Sequence, residues 1–304
     1  MTTLVTRSLL ELARKSALIR RTSAFVVAHT TGAIDSTRNT YGFLRQTFVN
    51  NSRASRFTTP VRADIVRRFE CIDREVPIGT TPTDGLFLAE MLLNVDAEGS
   101  MVECGCYSGG SSAKLSIISK LLGRRLIIFD SFEGLPAVDE YYLRDEHCRR
   151  NRHWVTDWTK GRYSSRLDQV QSNIEQYGEL SVCTLVKGWF NDTLTNANLP
   201  QQVAFAFTDV DLAPSARECI VAIWPRVSER GIYVTHDTAY IKVLQELYKP
   251  ELWNDCFKST PPILFGAGYG LCDDSPHLGY MVKGASLSSE YLKNLTIDKD
   301  DMNG

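Results

Sequence analysis

Apolar residues along this chain alternate between short solid runs and stretches spaced three and four apart, the marks of buried strands and of amphipathic helices. Met101, Val102 and Cys104 form a first run that stops at Gly105, and Leu126 to Phe129 form a second that delivers Asp130. Later runs are LSVCTLVKG, followed by Trp189, then VAFAFTDVDL, which brings Asp209 and Asp211, and GIYVTHD, which ends on His236 and Asp237. Between the first two, Leu115, Ile118 and Leu122 mark a helix that Ser111 and Ser112 would cap and Gly123 would stop. Leu167 to Tyr177, Ser215 to Trp224 and Lys242 to Tyr248 read as further helices. Upstream, ADIVRRFECIDREV and LFLAEMLLN read as two more, the second capped by Thr83 and Asp84. The segment Phe257 to Lys283, with Gly266, Gly268, Gly270 and Gly279, predicts a closing strand pair. Strands alternating with helices, with polar residues at the strand C-termini, predict an open parallel sheet whose ligand site runs along its carboxyl edge.

The turn after the first strand, Glu103 to Gly110, reads ECGCYSGG. It lacks the G-x-G-x-x-G spacing of dinucleotide sites, which disfavours an NAD-dependent oxidoreductase. Its E-x-G-x-x-x-G spacing is closer to that of Rossmann-like methyltransferases, where the turn passes under a sulfonium amino acid. Asp130 follows by about 20–25 residues, where nucleotide-binding α/β folds place a carboxylate for ribose hydroxyls. On the turn alone, an ordinary tight βα connection without a ligand remains an equal alternative.

Composition changes this picture at the margins. In 304 residues the formal net charge is −2, which points to neither nucleic acid nor membrane. Through Pro60, however, nine Lys and Arg stand against Glu11 and Asp35. Residues 1–60 are therefore expected to form a basic arm and flap: an amphipathic helix to about residue 30, then a polar linker that Tyr41, Phe43 and Phe48 could dock. The helix superficially resembles a transit peptide, but an arm packing on the body or on a second subunit is the preferred reading, and with it a homo-oligomer. No apolar run is long enough to span a bilayer and no secretory core is seen, so a cytoplasmic protein with reduced thiols is expected. Paired C-x-x-C units are absent, which argues against zinc. Residues 137–166, with Tyr141, Tyr142, His147, His153, Trp154, Trp158 and Tyr163, form a long aromatic stretch expected to be a substrate lid. Residues 291–304 read as a loose tail.

Strand-end acids can hold a hard divalent cation such as Mg²⁺, which would anchor a substrate hydroxyl and lower its pKa; singly, such acids also cap helices or meet solvent. The run VECGCYSGGSSAKLS…RLIIFDSFEGLP, then YGELSVCTLVKGWFNDTL, then DVDLAPSARECIVAIWPRVSERGIYVTHD, resembles the macrocin O-methyltransferase family over residues 60 to 285. The resemblance implies an α/β class I methyltransferase domain at 61–290, a mostly parallel seven-stranded sheet with helices on both faces. It implies S-adenosylmethionine and Mg²⁺ as cofactors and a hydroxyl of a small, sugar-like natural product as acceptor. Carried onto this chain, Glu103, Gly105, Tyr107, Gly109 and Ser111 would hold the methionine end of the cofactor. Asp130, Ser131 and Phe132 would meet the ribose, and Lys187, Gly188 and Trp189 the adenine. Asp209 would touch both cofactor and metal, with Asp237 as a second metal ligand.

His236 departs from the family, standing where the pattern has an acid, and imidazole is a poor Mg²⁺ ligand. Three readings stay open: Mg²⁺ on Asp209, Asp237 and water; a softer metal that includes His236; or no metal, with His236 as general base for O-, N- or C-methylation. His236 is the first expectation for the base and Asp211 the second. A non-catalytic cofactor-binding protein is the remaining rival.

Overall fold

The computed structural model describes residues 40–51, 56–138, 158–265 and 278–284. Three helices lead: α1 (Thr40–Asn50), α2 (Thr59–Glu75) and α3 (Pro82–Asn94). Strand β1 (Ser100–Cys104), helix α4 (Gly110–Leu122) and strand β2 (Leu126–Asp130) follow. Then come α5 (Leu167–Tyr177), β3 (Cys183–Lys187), β4 (Val203–Thr208) and α6 (Ala213–Ile223). The last are β5 (Val227–Thr235), α7 (Ile241–Leu247) and β6 (Gly279–Val282).

The strands build one sheet in the order β3-β2-β1-β4-β5-β6, parallel throughout except for the antiparallel β5/β6 pair. Among the described residues the sheet therefore has six strands, not seven. Of the expected closing pair, the described residues show β6 and a bridge between Phe265 and Tyr280; Gly266, Gly268 and Gly270 lie outside the described residues, as do the expected N-terminal helix and the tail. Because the chain winds outward from β1 to β3 and then returns to β4, its direction reverses between β1 and β4. A crevice opens there at the carboxyl ends.

Successive side chains of a strand point to opposite faces, and here each face has its own core. Met101, Leu126, Ile128, Phe205, Phe207 and Ile232 pack toward α1 to α5, whereas Val102, Ile127, Phe129, Ala206 and Tyr233 pack toward α6 and α7. Phe205 and Phe207 are fully buried, and each such side chain contributes about 2–3 kcal/mol relative to exposure. Helix α3 is buried on every side from Thr83 to Asn94, since α1, α2 and α4 surround it. That explains why LFLAEMLL shows no polar face. Of its two buried acids, Asp84 sits in the first turn and Glu90 is met by Arg62 from α2 at 2.6 Å and by Asn94 at 2.8 Å.

Several local expectations change. The polar stretch taken as a linker contains α1, with Leu44 and Phe48 buried and Phe43 exposed. Thr81, not Thr83, caps α3, in a reciprocal box with Asp84. Helix α4 starts from Gly109, whose φ is 83°, so Ser111 and Ser112 lie inside the helix and their hydroxyls are free for another task. At the amino edge of the sheet, Arg124 donates to the carbonyls of Gly99 and Ala97 at 2.6 and 2.7 Å, and Arg230, with φ of 66°, pairs with Asp96.

Candidate active site

The turn after β1 is set from behind by Glu103. Its carboxyl is fully buried and accepts the Ser111 and Ser112 hydroxyls at 2.6 and 2.5 Å, tying the strand to the first turn of α4. Burial pushes this carboxyl up to about 8 against the lowering effect of the two serines, with Asp130 and Asp209 adding to the rise. Gly105 (φ 82°) and Tyr107 (φ 46°) take left-handed conformations that fold the backbone back on itself. Asp130 grips the same turn from β2: one oxygen accepts the Cys106 N–H and the other the Phe132 N–H, both at 2.7 Å. A carboxylate offers about four lone-pair directions, so each oxygen keeps capacity for a ligand. Ser131 closes its own turn, donating to the Gly134 carbonyl at 3.1 Å. Next along the edge, the Gly188 N–H donates to the Asp130 carbonyl at 3.0 Å, after Lys187 and before a half-exposed Trp189.

Across the crevice the strands β4 and β5 deliver the acids. The Asp209 N–H donates to the Cys104 carbonyl and the His236 N–H to the Thr208 carbonyl, each at 2.9 Å, so sheet hydrogen bonding carries on into the site. Asp237 is buried; one of its oxygens accepts the Val210 and Asp211 N–H groups at 2.9 and 3.0 Å. Its other oxygen has no hydrogen-bond partner among the described residues. Asp211 sits in the left-handed region at φ 60°, an unfavourable conformation for an aspartate that this chain nevertheless holds. Burial, then the charges of Asp237 and Asp209, push the Asp211 carboxyl well above the usual range. Burial and Asp209 likewise push Asp237 up to about 7.

The imidazole of His236 lies between two carboxylates. Nδ1 is 3.2 Å from Asp209 Oδ1, and Nε2 is 3.4 Å from Asp84 Oδ2. Burial opposes charging the ring, but the two carboxylates outweigh it and hold its pKa well above the ordinary value. Ligand atoms of Asp209, His236 and Asp237 fall within 4.8 Å of one another, about the span of two donors each a little over 2 Å from one ion. A buried carboxylate oxygen without a donor, beside a second carboxylate and an imidazole, is a set that fits a divalent cation.

Asp84 is the residue that sequence reasoning did not bring to the site. The TPTD pattern marks it as a capping residue, and nothing local shows that α3 places it against a histidine 152 positions later. The loop before α3 also covers the crevice: a Cβ on Gly79 would lie 4.0 Å from Asp209 Oδ2. Aromatic rings wall the other side. Tyr107 meets Tyr163 edge-on at 5.5 Å, and Trp158 meets Tyr240 at 5.4 Å over Leu135 and Leu212. Of the expected lid residues, Trp158 is buried in this cluster, while His147, His153 and Trp154 lie outside the described residues.

A search of curated proteins finds no match. Solved structures similar to this chain include the O-methyltransferase NovP, 19% identical, with 76% of this chain and 83% of that chain covered and a TM-score of 0.48. The calicheamicin methyltransferase CalS11 is 18% identical, with 77% and 96% covered, also at 0.48. The model of the macrocin-O-methyltransferase family (TylF) matches residues 86–250, from within α3 to just past α7. With more than half of its length matched, this chain belongs to the macrocin-O-methyltransferase family.

Proposed function

We propose that the chain transfers a methyl group from S-adenosylmethionine to a hydroxyl of a small, sugar-like natural product, with a divalent cation at Asp209, His236 and Asp237. The observation that carries this reading is the contact between the two halves of the crevice. The glycine turn and the acid cluster share a wall through the Asp209 N–H to Cys104 carbonyl hydrogen bond. When bound, the cofactor supplies an electrophilic methyl group and the cation a positive charge that acidifies the acceptor hydroxyl.

The remaining work falls to the chain itself. Gly105, Tyr107 and Gly109 keep the backbone turned where the methionine end would lie, and Glu103 with Ser111 holds that turn from behind. Asp130 presents its spare lone pairs toward a ribose, flanked by Ser131 and Phe132. Lys187, Gly188 and Trp189 border the base, with the half-exposed indole as a stacking face. In-line displacement at a methyl carbon asks mainly for alignment and removal of one proton. Both nitrogens of His236 face carboxylates, which keep the ring protonated, so it has no free lone pair to take a proton from the acceptor. Asp211, whose carboxyl is pushed well above the usual range by burial and the charges of Asp237 and Asp209, is the more basic carboxylate of the cluster and is assigned as the base, with His236 in a holding role. That geometry also disfavours the metal-free reading with His236 as base.

The catalytic unit, proposed as 61–290, takes in α1 as well, since Leu44 and Phe48 pack into its core, and the part of 1–60 ahead of α1 is assigned to an arm of a homo-oligomer. Residues 137–166 are assigned to a lid whose last part, from Trp158 to Tyr163, packs at the site. Calorimetric titration of S-adenosylmethionine and its demethylated product, followed by mass analysis of sugar-containing acceptors, tests the function. Micromolar binding and a mass gain of one methyl group are expected; failure to bind either compound would overturn the reading.

A further inference from the structure

We propose that Asp84 and His236 act together to make the cation site a mixed nitrogen and oxygen set that selects a transition-metal ion such as Mn²⁺ over Mg²⁺. This rests on the metal-assisted reading above and adds what an imidazole at the end of β5 does to that site.

Asp84 is fully buried at the start of α3, and its Oδ2 accepts both the N–H and the hydroxyl of Thr81 at 2.8 Å. That oxygen is thereby fixed, and it lies 3.4 Å from His236 Nε2. An ionised carboxylate only accepts, so the proton of this contact sits on Nε2. The other nitrogen, Nδ1, faces Asp209, 3.2 Å away, beside Asp237 and its unpartnered oxygen, and a cation bound there would take the place of the proton that Nδ1 shares with Asp209. A carboxylate on one imidazole nitrogen and a ligand position on the other is the arrangement that fixes the tautomer and orientation of metal-binding histidines. An imidazole donor suits Mn²⁺, Co²⁺ or Zn²⁺ far better than Mg²⁺, which prefers oxygen throughout. Asp84 is a positioning residue: it acts on the cation only through His236.

The test uses the full-length protein loaded with Mn²⁺ and pulsed electron paramagnetic resonance. Modulation from a directly bound ¹⁴N is expected, and it should vanish in His236→Asp and in His236→Gln. Calorimetric competition should show the Mn²⁺ preference over Mg²⁺ falling at least about tenfold in His236→Asp. Asp84→Asn should weaken Mn²⁺ binding by about 10- to 100-fold. Mn²⁺ bound without nitrogen modulation, or an unchanged preference in His236→Asp, would overturn the inference. Binding of S-adenosylmethionine but of neither cation would overturn it while leaving the methyltransferase reading in place. A nitrogen signal without cofactor binding would support the site and sink the proposed function instead.

Discussion

Gly105 approaches Asp209 so closely that a methyl group on its α-carbon would stand 1.9 Å from the aspartate's carbonyl oxygen. With a φ of 82° as well, this position admits no side chain without moving the seam between β1 and β4. Gly105→Ala should therefore destabilise the fold by about 2–4 kcal/mol, from left-handed strain and overlap together. It should also abolish cofactor binding. Thermal melting and calorimetry on the same sample check both; a variant that melts like the parent would show that the seam yields.

Glu103 gives a pH signature. Its carboxyl is held at about 8 in the fold, chiefly by burial, against an ordinary value of 4.5 when unfolded. The folded state thus binds a proton that the unfolded chain has released, and stability falls as pH rises from about 4.5 to about 8. The slope is at most ~1.4 kcal/mol per pH unit. Glu103→Gln should flatten the melting temperature across that window relative to the parent. Equal slopes in the two proteins would place the carboxyl's pKa in its usual range.

Asp211 and His236 should separate kinetically. Asp211→Asn is expected to lower kcat by about 10²- to 10⁴-fold, the usual worth of a positioned base, with cofactor affinity unchanged. If turnover instead survives in Asp211→Asn and disappears in His236→Ala assayed with chelator, the proton goes to the histidine.

The helical cover depends on an ion pair sealed from solvent. Arg62 and Glu90 have no side-chain exposure, meet at 2.6 Å, and Arg62 also donates to the Phe48 carbonyl at 3.0 Å, joining α1, α2 and α3. Glu90→Ala should cost about 3–5 kcal/mol because it leaves a buried guanidinium uncompensated. Arg62→Met with Glu90→Leu should be milder than either single change, as urea midpoints would reveal. A double variant as unstable as the sum of the two would mean that the residues are not coupled and that each holds the helices through its other contacts.

Legibility in the sequence follows how local each determinant is. The solid apolar runs placed β1, β2, β4 and β5 to within a few residues, and with them Asp130, Asp209, His236 and Asp237 at one edge. Helix α1 escaped because TYGFLRQTFVN is only weakly amphipathic; its identity comes from packing Leu44 and Phe48 on α2 and α3. Ser111 and Ser112 suit a cap by type, but they lie inside α4 and their hydroxyls go to Glu103 on β1, further back in the sequence than a cap pattern looks. Asp84 was legible as half of a capping box but not as a neighbour of His236, a relation that exists only after α3 docks on the crevice.

The amino edge of the sheet has its own fasteners, Arg124 on the Gly99 and Ala97 carbonyls and Arg230 on Asp96. All of the chemistry described here hangs from the opposite edge. Robustness and selectivity are thereby housed in separate neighbourhoods of one domain. The acceptor side can therefore be redesigned while Arg124, Arg230 and the loop from Asp96 to Gly99 that they hold are left as they are.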